Sequence, residues 1–305
     1  MKHLYLLLFL GTFIQAFSQE DPLYVQYINN PMILNPAYAV LNNNFNASVS
    51  YRKQWGGFEG SPSTFHVSSH TSLAKNKMGL GILLIQDKTG ANSNTEMNMT
   101  YAYRLNFNGT HLSFGMQAGF INYKTDNTLL NTYDPTDPAF NSDINVIRPN
   151  VGAGIILNSE KFFAGISVPR MLNTTTLLST DTASTKARLY DQHYYGSFGY
   201  VFYLSTRMRL KPSCLVRYVQ GAPLSVDYTI AINLDEKYTA GLYTRNLNAG
   251  GFLLQLRFAG AYRFGYAFEV PLNNNTVATR FNTHELTLGI NLSLFSFQSS
   301  SITNF

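Results

Sequence analysis

Large aromatic residues alternate with small or charged ones between Ala261 and Glu269. The rings belong to Tyr262, Phe264, Tyr266 and Phe268. Side chains two positions apart on a β-strand lie on the same face, so the segment is predicted to be a strand with one apolar face. The alternation recurs along the chain without an amphipathic helix to cover the apolar faces. The sequence therefore predicts that lipid covers them.

Composition supports a membrane protein built from strands. Only 13% of the residues are charged, against about 25% in soluble domains, while the chain has 22 Phe and 20 Tyr. After the N-terminus no apolar run approaches the roughly 20 residues that a membrane helix requires. Closed barrels are the other structure that satisfies its backbone hydrogen bonds within lipid.

Fourteen period-2 segments can be marked, an even number that is typical of outer-membrane barrels. They are residues 45–55, 63–72, 77–87, 94–107, 110–124, 149–158, 161–168, 190–204, 206–219, 222–233, 236–246, 250–258, 260–270 and 281–295. The predicted class is an all-β transmembrane barrel with about 14 antiparallel strands. Short links are expected at one end, for example Asn108-Gly109. The predicted longer loops are Gly56 to Pro62, Lys88 to Ser93, Thr125 to Arg148, Pro169 to Leu189 and Pro271 to Arg280. This asymmetry predicts that both termini are periplasmic.

A water-soluble β-sandwich is the competing interpretation, but its outer faces would have to be polar. Here the face opposite the rings is narrow and mixed, with isolated charges that suit a crowded polar lumen. The predicted lumen charges are Arg52, Arg104, Arg217, Asp227, Arg263 and Glu269.

The N-terminus reads as a secretory signal over residues 1–18, with Lys2 before an apolar stretch and a small-x-small site ending at Ser18. Residues 19–44 form an N-terminal segment, 45–297 the barrel and 298–305 a tail. In the segment, Asn30-Pro31 and Asn35-Pro36 hold the chain away from helical geometry. Two readings stay open: a plug at the periplasmic mouth, or a simple lead into the first strand.

The sequence resembles the PorP/SprF family of type IX secretion proteins of Bacteroidetes along nearly the whole mature chain. The N-terminal motif residues are Asp21, Pro22, Gln26, Tyr27, Asn30, Pro31, Asn35, Pro36, Ala37 and Tyr38. A second block comprises Arg52, Gln54, Trp55, Gly57, Gly60, Pro62 and Thr64. Later blocks include Gly165 to Pro169, Gly221 to Asp227 and His284-Glu285. Val40, and Asn282-Thr283 before His284, depart from the usual family residues.

The resemblance implies an outer-membrane protein that helps a type IX system export or retain a large cell-surface protein, such as a gliding adhesin, through its C-terminal sorting domain. Other secretion subunits would be partners. It implies no enzyme and no cofactor, and the scattered arginines argue against nucleic acid. The rival is an outer-membrane channel similar to FadL-type transporters of apolar solutes.

The remaining candidate sites are weak. No catalytic motif is present, and His66 and His70 are too far apart along a strand to share a metal ion. Trp55 is interpreted as an aromatic anchor at headgroup level, with contact to cargo as the alternative. Thr182 matches a short O-glycosylation signal, and Cys214 is predicted to be an outward-facing, inert thiol. Four aspartates in the loop 126–143 offer calcium ligands, but a solvated turn cluster is preferred. They are Asp126, Asp134, Asp137 and Asp143.

Overall fold

The computed structural model describes residues 27, 30–127, 143–172, 174–180, 183–190, 192–220, 222–272 and 281–294. Two short 3-10 helices, Pro31–Ile33 and Pro36–Val40, precede the strands. The strands are β1 Phe45–Lys53, β2 Ser63–Leu73, β3 Met78–Thr89, β4 Asn92–Phe107, β5 Thr110–Thr125, β6 Ile144–Ser159, β7 Phe162–Val168, β8 Thr174–Thr180, β9 Ala183–Tyr190, β10 His193–Tyr200, β11 Phe202–Tyr203, β12 Met208–Val219, β13 Ser225–Leu234, β14 Tyr238–Arg245, β15 Ala249–Phe258, β16 Tyr262–Pro271 and β17 Thr283–Leu292.

The main sheet closes on itself. Neighbouring strands pair antiparallel around the sheet, β10 pairs with both β7 and β12, and β17 pairs back with β1 from Phe45↔Leu292 to Lys53↔His284. Strands β10 and β11 occupy one strand position in the barrel and are separated by Val201. The Val201 N–H donates to the Lys161 carbonyl oxygen at 2.6 Å. With β10 and β11 counted as one strand, the structure confirms a closed barrel of fourteen strands. Strands β8 and β9 form a separate two-stranded hairpin between β7 and β10.

The two ends of the barrel differ in their connections. We call the end at which β1 begins and β17 ends the turn end; its links are residues 74–77, 108–109, 160–161, 204–207, 235–237 and 259–261. The predicted Asn108-Gly109 turn is present, with Gly109 at φ 73°. The opposite end is the loop end. Its links are residues 54–62, 90–91, 126–143, 169–192, 220–224, 246–248 and 272–282.

Three predicted loops at the loop end were wrong in extent. Strand β3 continues to Thr89 and β4 begins at Asn92. The loop predicted from Lys88 to Ser93 is therefore a tight turn, with Gly90 at φ 56°. Strand β6 begins already at Ile144, and the predicted loop from Pro169 contains the β8–β9 hairpin. The β4 extension, Asn92-Ser93, is polar on both faces, and the β6 extension, Ile144 to Arg148, mixes apolar and polar residues, so the clean alternation that marks a half-buried strand is lost there although the backbone pairing continues.

The outer and inner faces of the barrel follow the alternation in the sequence. On β16, Tyr262 is 50% exposed and Phe264 39%, whereas Ala267 is 1% exposed on the lumen side. Cys214 is half-buried and pairs with outward-facing Phe198 and Tyr228, which places it on the outer face. Among the described residues no helix is long and apolar enough to cross a membrane.

The main apolar core lies inside the barrel and is largely supplied by residues 30–41, which we call the lumen segment. Its buried members are Met32, Ile33, Leu34, Ala39 and Val40, which pack with Leu83, Ile85, Ala102 and Leu215 from three strands. The lumen is therefore occupied by the protein's own chain over this depth.

Candidate functional site

The lumen segment takes its shape from two Asn-Pro pairs. Each proline stands at the first position of a 3-10 helix, where its fixed φ and missing N–H carry no cost. Asn35 also caps the second helix, because its side-chain oxygen accepts a hydrogen bond from the Ala37 N–H at 2.9 Å. The repeated dipeptide thus produces two compact turns instead of a strand.

Asn30 anchors the start of the lumen segment to β1 and β2. Its Nδ2 donates to Ser48 Oγ at 3.0 Å and to Ser68 Oγ, and it lies 3.3 Å from His66 Nε2. Farther along, Asn42 Nδ2 lies 3.3 Å from His70 Nε2. The two histidines that were weighed as metal ligands therefore face asparagine side chains of the N-terminal chain.

The middle of the lumen segment is bonded to the opposite wall. Asn35 Nδ2 donates to the carbonyl oxygens of Ile155 and Ile166 at 3.2 and 3.3 Å. Ser167 Oγ donates to the Leu34 carbonyl oxygen at 2.7 Å. Tyr38 bonds the Ser197 side chain, and burial raises the pKa of its phenol, so the ring carries no charge inside the barrel.

Inward-facing glycines form a recess that the lumen segment fills. A β-carbon on Gly79 would lie 2.5 Å from the Ala39 carbonyl oxygen, and one on Gly81 would lie 2.8 Å from Met32 Sδ. At Gly115 it would overlap the backbone of Pro36 and Ala37, and at Gly154 the side chain of Asn35. At Gly79 and Gly115 the obstacle is the main chain of the segment, so these two positions admit no side chain while the segment is in place.

Arg104 closes the segment at the turn end. Its Nη2 donates to the Val40 carbonyl oxygen and its Nη1 to Asn43 Oδ1 at 3.2 Å. Arg104 was predicted as a lumen charge, and its side chain is 7% exposed. Charge-assisted bonds of this kind are stronger than neutral ones and keep a buried guanidinium solvated by protein oxygens.

Toward the loop end the lumen carries a belt of ion pairs. Glu269 lies 3.6 Å from Arg52 and 3.4 Å from Arg245, and Arg245 lies 3.3 Å from Asp227. Ser50 Oγ donates to Glu285 at 3.4 Å. Arg217 is also buried, at 2% exposed, while Arg263 lies at the other end of the lumen. The structure thus brings together most of the charges singled out in the sequence, and adds Arg245 and Glu285.

Just after β7 ends, Pro169 and Arg170 contact lumen-facing side chains of the barrel wall. The Pro169 carbonyl oxygen accepts hydrogen bonds from Gln117 Nε2 at 2.8 Å and Asn150 Nδ2 at 3.3 Å. Arg170 then forms an ion pair with Glu96, with Nη2 to Oε2 at 2.5 Å. We call Pro169 and Arg170 the clamp, because they fix the root of the loop that carries the β8–β9 hairpin.

The second family block forms a compact connection between β1 and β2. Arg52 Nη1 donates to Gln54 Oε1 at 2.8 Å, the Gln54 N–H bonds the Pro62 carbonyl at 2.9 Å, and Thr64 Oγ1 donates to Asp87 at 2.5 Å. Trp55 is half-buried at φ 51°. Gly57, at φ 98°, and Gly60, at φ 71°, supply the remaining left-handed positions. Arg52 therefore links this loop to the ion-pair belt.

Several predicted residues lie outside the described part of the chain, and those predictions stay predictions. They are Asp21, Pro22, Gln26, Asp134, Asp137 and Thr182, together with residues 1–18 and 298–305. Asp126 and Asp143 are described, and Asp143 Oδ1 accepts from the Asn127 N–H at 2.9 Å. Over the described residues, no group of three or more His, Cys, Asp or Glu is arranged to hold a metal ion.

Sequence reasoning missed the glycine recess and the clamp. The glycines that contact the lumen segment all lie at inward-facing strand positions. Gly79, Gly81 and Gly115 alternate with outward-facing aromatic or aliphatic residues, and this alternation is the sequence signal that identifies them. Nothing in the sequence around Arg170 indicated that its side chain points into the barrel. As a whole the site binds and orients the protein's own chain.

Comparison with known proteins identifies a family and a fold. The family described as type IX secretion system membrane protein PorP/SprF matches residues 16–290. No curated protein is significantly similar in sequence. Among solved structures, the TodX deltaS2S3 mutant monoaromatic hydrocarbon channel is similar with a TM-score of 0.50 at 9% identity, over 86% of this chain and 93% of that one.

Two further solved structures are similar at lower TM-scores. The outer membrane protein Omp33 of Acinetobacter baumannii has a TM-score of 0.48 at 7% identity, over 83% of this chain and 99% of that one. The Pseudomonas putida toluene transporter TodX has a TM-score of 0.47 at 8% identity, over 88% and 92%. The likeness to the TodX deltaS2S3 channel, at 9% identity, bears on the barrel fold alone.

Proposed function

Because the chain belongs to the PorP/SprF family of type IX secretion system membrane proteins, we propose that it docks a large secreted surface protein at the outer membrane. The docked element is that protein's C-terminal sorting domain, and the barrel then assists its export or holds it at the surface. A gliding adhesin is one such cargo. Family and barrel fold are those of a secretion or transport component, and the proposed role is non-enzymatic.

The single observation that carries this proposal is the filled lumen. Asn30, Asn35 and Arg104 bind the lumen segment to the wall, and the inward glycines admit it closely. The ion-pair belt and the clamp occupy the lumen toward the loop end. A barrel filled in this way serves as a scaffold that presents its ends to partners, and the lumen segment acts as its plug.

The proposed orientation places the turn end in the periplasm and the loop end outside the cell. Membrane barrels have short turns on the periplasmic side and long loops on the other. In this barrel the longest links, residues 54–62, 126–143, 169–192 and 272–282, all lie at the loop end, although the links 90–91 and 246–248 there are short. Both ends of the barrel domain, the start of β1 and the end of β17, are then periplasmic.

The proposed contact surface for cargo is the loop end. The hairpin β8–β9 stands on the clamped loop there, and the neighbouring connection between β1 and β2 exposes Phe58 at 47% beside Gly57 and Gly60. Binding residues are disproportionately found on loops held by a rigid scaffold. The ion pair of Arg170 with Glu96 supplies that rigidity at the root of the loop.

Affinity purification tests the docking role. The full-length protein, tagged at its C-terminus, is solubilised from outer membranes of a strain that secretes large surface proteins, and co-purifying proteins are identified by mass spectrometry. We expect a very large protein with a C-terminal sorting domain, which is lost when residues 174–190 are replaced by a Gly-Ser linker. Recovery of ordinary envelope proteins alone contradicts the proposal.

A channel for apolar solutes is the other function indicated by the sequence. Planar-bilayer recording distinguishes the two. A filled lumen gives no steady conductance, whereas a variant lacking residues 21–41 conducts because the recess is empty. A steady open channel in the unmodified protein would favour transport.

A further inference from the structure

The outer face of the barrel wall carries very few charges. Among the described strands of the main sheet, only three charged residues occupy outward positions: Lys53 on β1, Lys88 on β3 and Lys124 on β5. Each stands in line with exposed apolar residues of its own strand, such as Leu84 on β3 and Phe120 on β5. The other arginines, lysines and carboxylates of these strands occupy lumen-facing positions. The charge that the strands present to the surroundings of the barrel is therefore entirely positive.

The strand register places the three lysines in one row, which we call the lysine row. Lys53 pairs with Ser63, and Ser63 pairs with Lys88. Lys88 pairs in turn with Ser93, and Ser93 with Lys124. Lysine and serine thus alternate across five neighbouring strands. Because neighbouring strands lie about 4.8 Å apart, successive lysines are roughly 10 Å from each other along the row.

On the other side of Lys53 the same row is aromatic. Lys53 pairs with His284 on β17, and His284 pairs with Phe268 on β16. Phe268 pairs with Phe252 on β15. The centroid of the Phe268 ring lies 5.6 Å from that of Phe252 and 5.2 Å from that of His284. Outward rings at the end of a barrel's apolar band mark the level of the lipid headgroups. The register therefore places Lys53 at that level.

The apolar band of the wall ends next to the lysine row. Tyr51 and Phe65 are the next outward residues of β1 and β2 toward the middle of the barrel, and they are 48% and 38% exposed. On β3 the corresponding residue is Gln86, and the apolar face begins one step further, at Leu84. A lysine at such a boundary lays its alkyl stem along the apolar surface and extends its ammonium group to the headgroups.

We propose that the lysine row binds the phosphorylated headgroup of a membrane lipid, with Lys53 and Lys88 at the centre of the site. The acyl chains of that lipid lie on the apolar band, and its phosphate lies between the two ammonium groups. Lys53 Nζ donates one bond, to the Ser61 carbonyl oxygen at 2.9 Å, and an ammonium group has three donors. Ser63 stands between the two lysines with its hydroxyl. Lysine binds phosphate as a compact point charge, so no fork geometry is required.

The outward direction of the lysines favours a lipid over an acidic peptide. A lipid supplies an apolar part for the wall and an anionic part for the row in one molecule, and the two surfaces adjoin here. Glu59, the acidic residue of the link between β1 and β2, is exposed and forms no ion pair with a described residue. The site lies at a membrane interface whichever side of the membrane the loop end faces. It is therefore independent of the proposed docking role.

Quenching of Trp55 tests the site, because this single tryptophan of the chain lies two residues after Lys53. The detergent-solubilised full-length protein is titrated with phosphatidic acid whose acyl chains carry bromine next to the headgroup. The reference is phosphatidylcholine with the same brominated chains, whose phosphate is balanced by its own cation. We expect half-maximal quenching at about tenfold lower concentration of phosphatidic acid, because lysines at a membrane surface attract anionic lipid.

Combining Lys53→Gln with Lys88→Gln should remove this preference, so that both lipids quench at the same concentration. The matched control combines Lys75→Gln with Lys77→Gln. These two exposed lysines lie at the far end of β2, about 33 Å along the strand at roughly 3.3 Å per residue. A charge at that distance is screened in ordinary salt, so the control should keep the preference to within about twofold.

Three results would overturn the proposal. The first is equal quenching by the two lipids in the unmodified protein, and the second is an equal loss of preference in both double variants, which reduces the site to diffuse charge. The third is competition by inorganic phosphate or by an oligoglutamate peptide at the concentration at which the lipid binds, since the headgroup is then not the favoured ligand. Circular dichroism checks folding. Lys88→Gln alone leaves the bond from Lys53 to the Ser61 carbonyl in place and should still reduce the preference. No cargo or secretion enters the assay, so its failure is distinct from failure of the docking role.

Discussion

Gly115 lies against the backbone of Ala37 so closely that a β-carbon on the glycine would overlap main-chain atoms. Main-chain atoms cannot rotate away as the end of a side chain can. The strand β5 and the lumen segment are therefore complementary in shape at this point. The complementarity links a family-motif residue, Ala37, to a strand position that no motif marks.

Gly115→Leu should displace the lumen segment. Overpacking of a well-packed interior costs about 1–3 kcal/mol, and here the cost falls on the contact between segment and wall. We expect a lower midpoint of thermal unfolding and, in planar bilayers, a conductance that the unmodified protein lacks. Gly196→Leu is the control, since an added β-carbon there has Val216 as its nearest neighbour, at 4.0 Å. A Gly115→Leu barrel that stays closed would contradict the role of the recess.

Arg104→Met should loosen the segment at the turn end. The change removes the bonds to the Val40 carbonyl and to Asn43 while keeping much of the side-chain volume. Hydrogen bonds to charged groups contribute about 1.5–3 kcal/mol. Hydrogen exchange measured by mass spectrometry should speed up at residues 39–44 and stay unchanged in β16. Unaltered exchange at residues 39–44 would show that Arg104 does not hold the segment.

The barrel could be predicted from sequence because its cause is local. Alternation of rings with small residues, as from Tyr262 to Phe268, survives wherever one face meets lipid and the other the lumen. It failed at Asn92-Ser93, which is polar on both faces, and at Ile144 to Arg148, which mixes apolar and polar residues, although strands continue there at the loop end. There the pairing of neighbouring strands, which sequence periodicity does not report, determines the structure.

The lumen was only partly predictable. Inward parity identified Arg52, Asp227 and Glu269, but not which of them pair, because pairing depends on the stagger of distant strands around the barrel. The lumen segment was marked by two Asn-Pro pairs, and its position inside the barrel depends on contacts more than 100 residues away, such as Asn35 to Ile155. Such contacts arise only once the barrel has closed.

Glu269 is expected to couple energetically to Arg245. Their side chains lie 3.4 Å apart and are 9% and 16% exposed, so each loses a buried partner when the other is replaced. Breaking a buried pair costs about 3–5 kcal/mol, and the double variant Glu269→Gln with Arg245→Met should cost less than the sum of the singles by about 0.5–3 kcal/mol. Urea unfolding in detergent measures the cycle. As a control, Arg207→Met breaks an ion pair whose arginine is 75% exposed and should cost under about 1 kcal/mol. If the costs of the Glu269 and Arg245 single variants add strictly in the double variant, the two residues are not coupled.

Arg170→Ala should free the loop that carries the β8–β9 hairpin without opening the barrel. The ion pair with Glu96 fixes the clamp together with the bonds that Gln117 and Asn150 donate to the Pro169 carbonyl oxygen. The barrel strands stay paired, but the ion pair is buried, with side chains 17% and 5% exposed, so its loss should cost about 3–5 kcal/mol of stability, while limited proteolysis should cut between residues 171 and 192 faster. Glu96→Gln should reproduce the effect, because it removes the same charge pair from the other side.

If cargo docks at the loop end, both variants should recover less co-purifying protein at equal barrel abundance, because ordering the loop then costs conformational entropy on binding. Rapid proteolysis with undiminished recovery of cargo would place the contact elsewhere on the barrel.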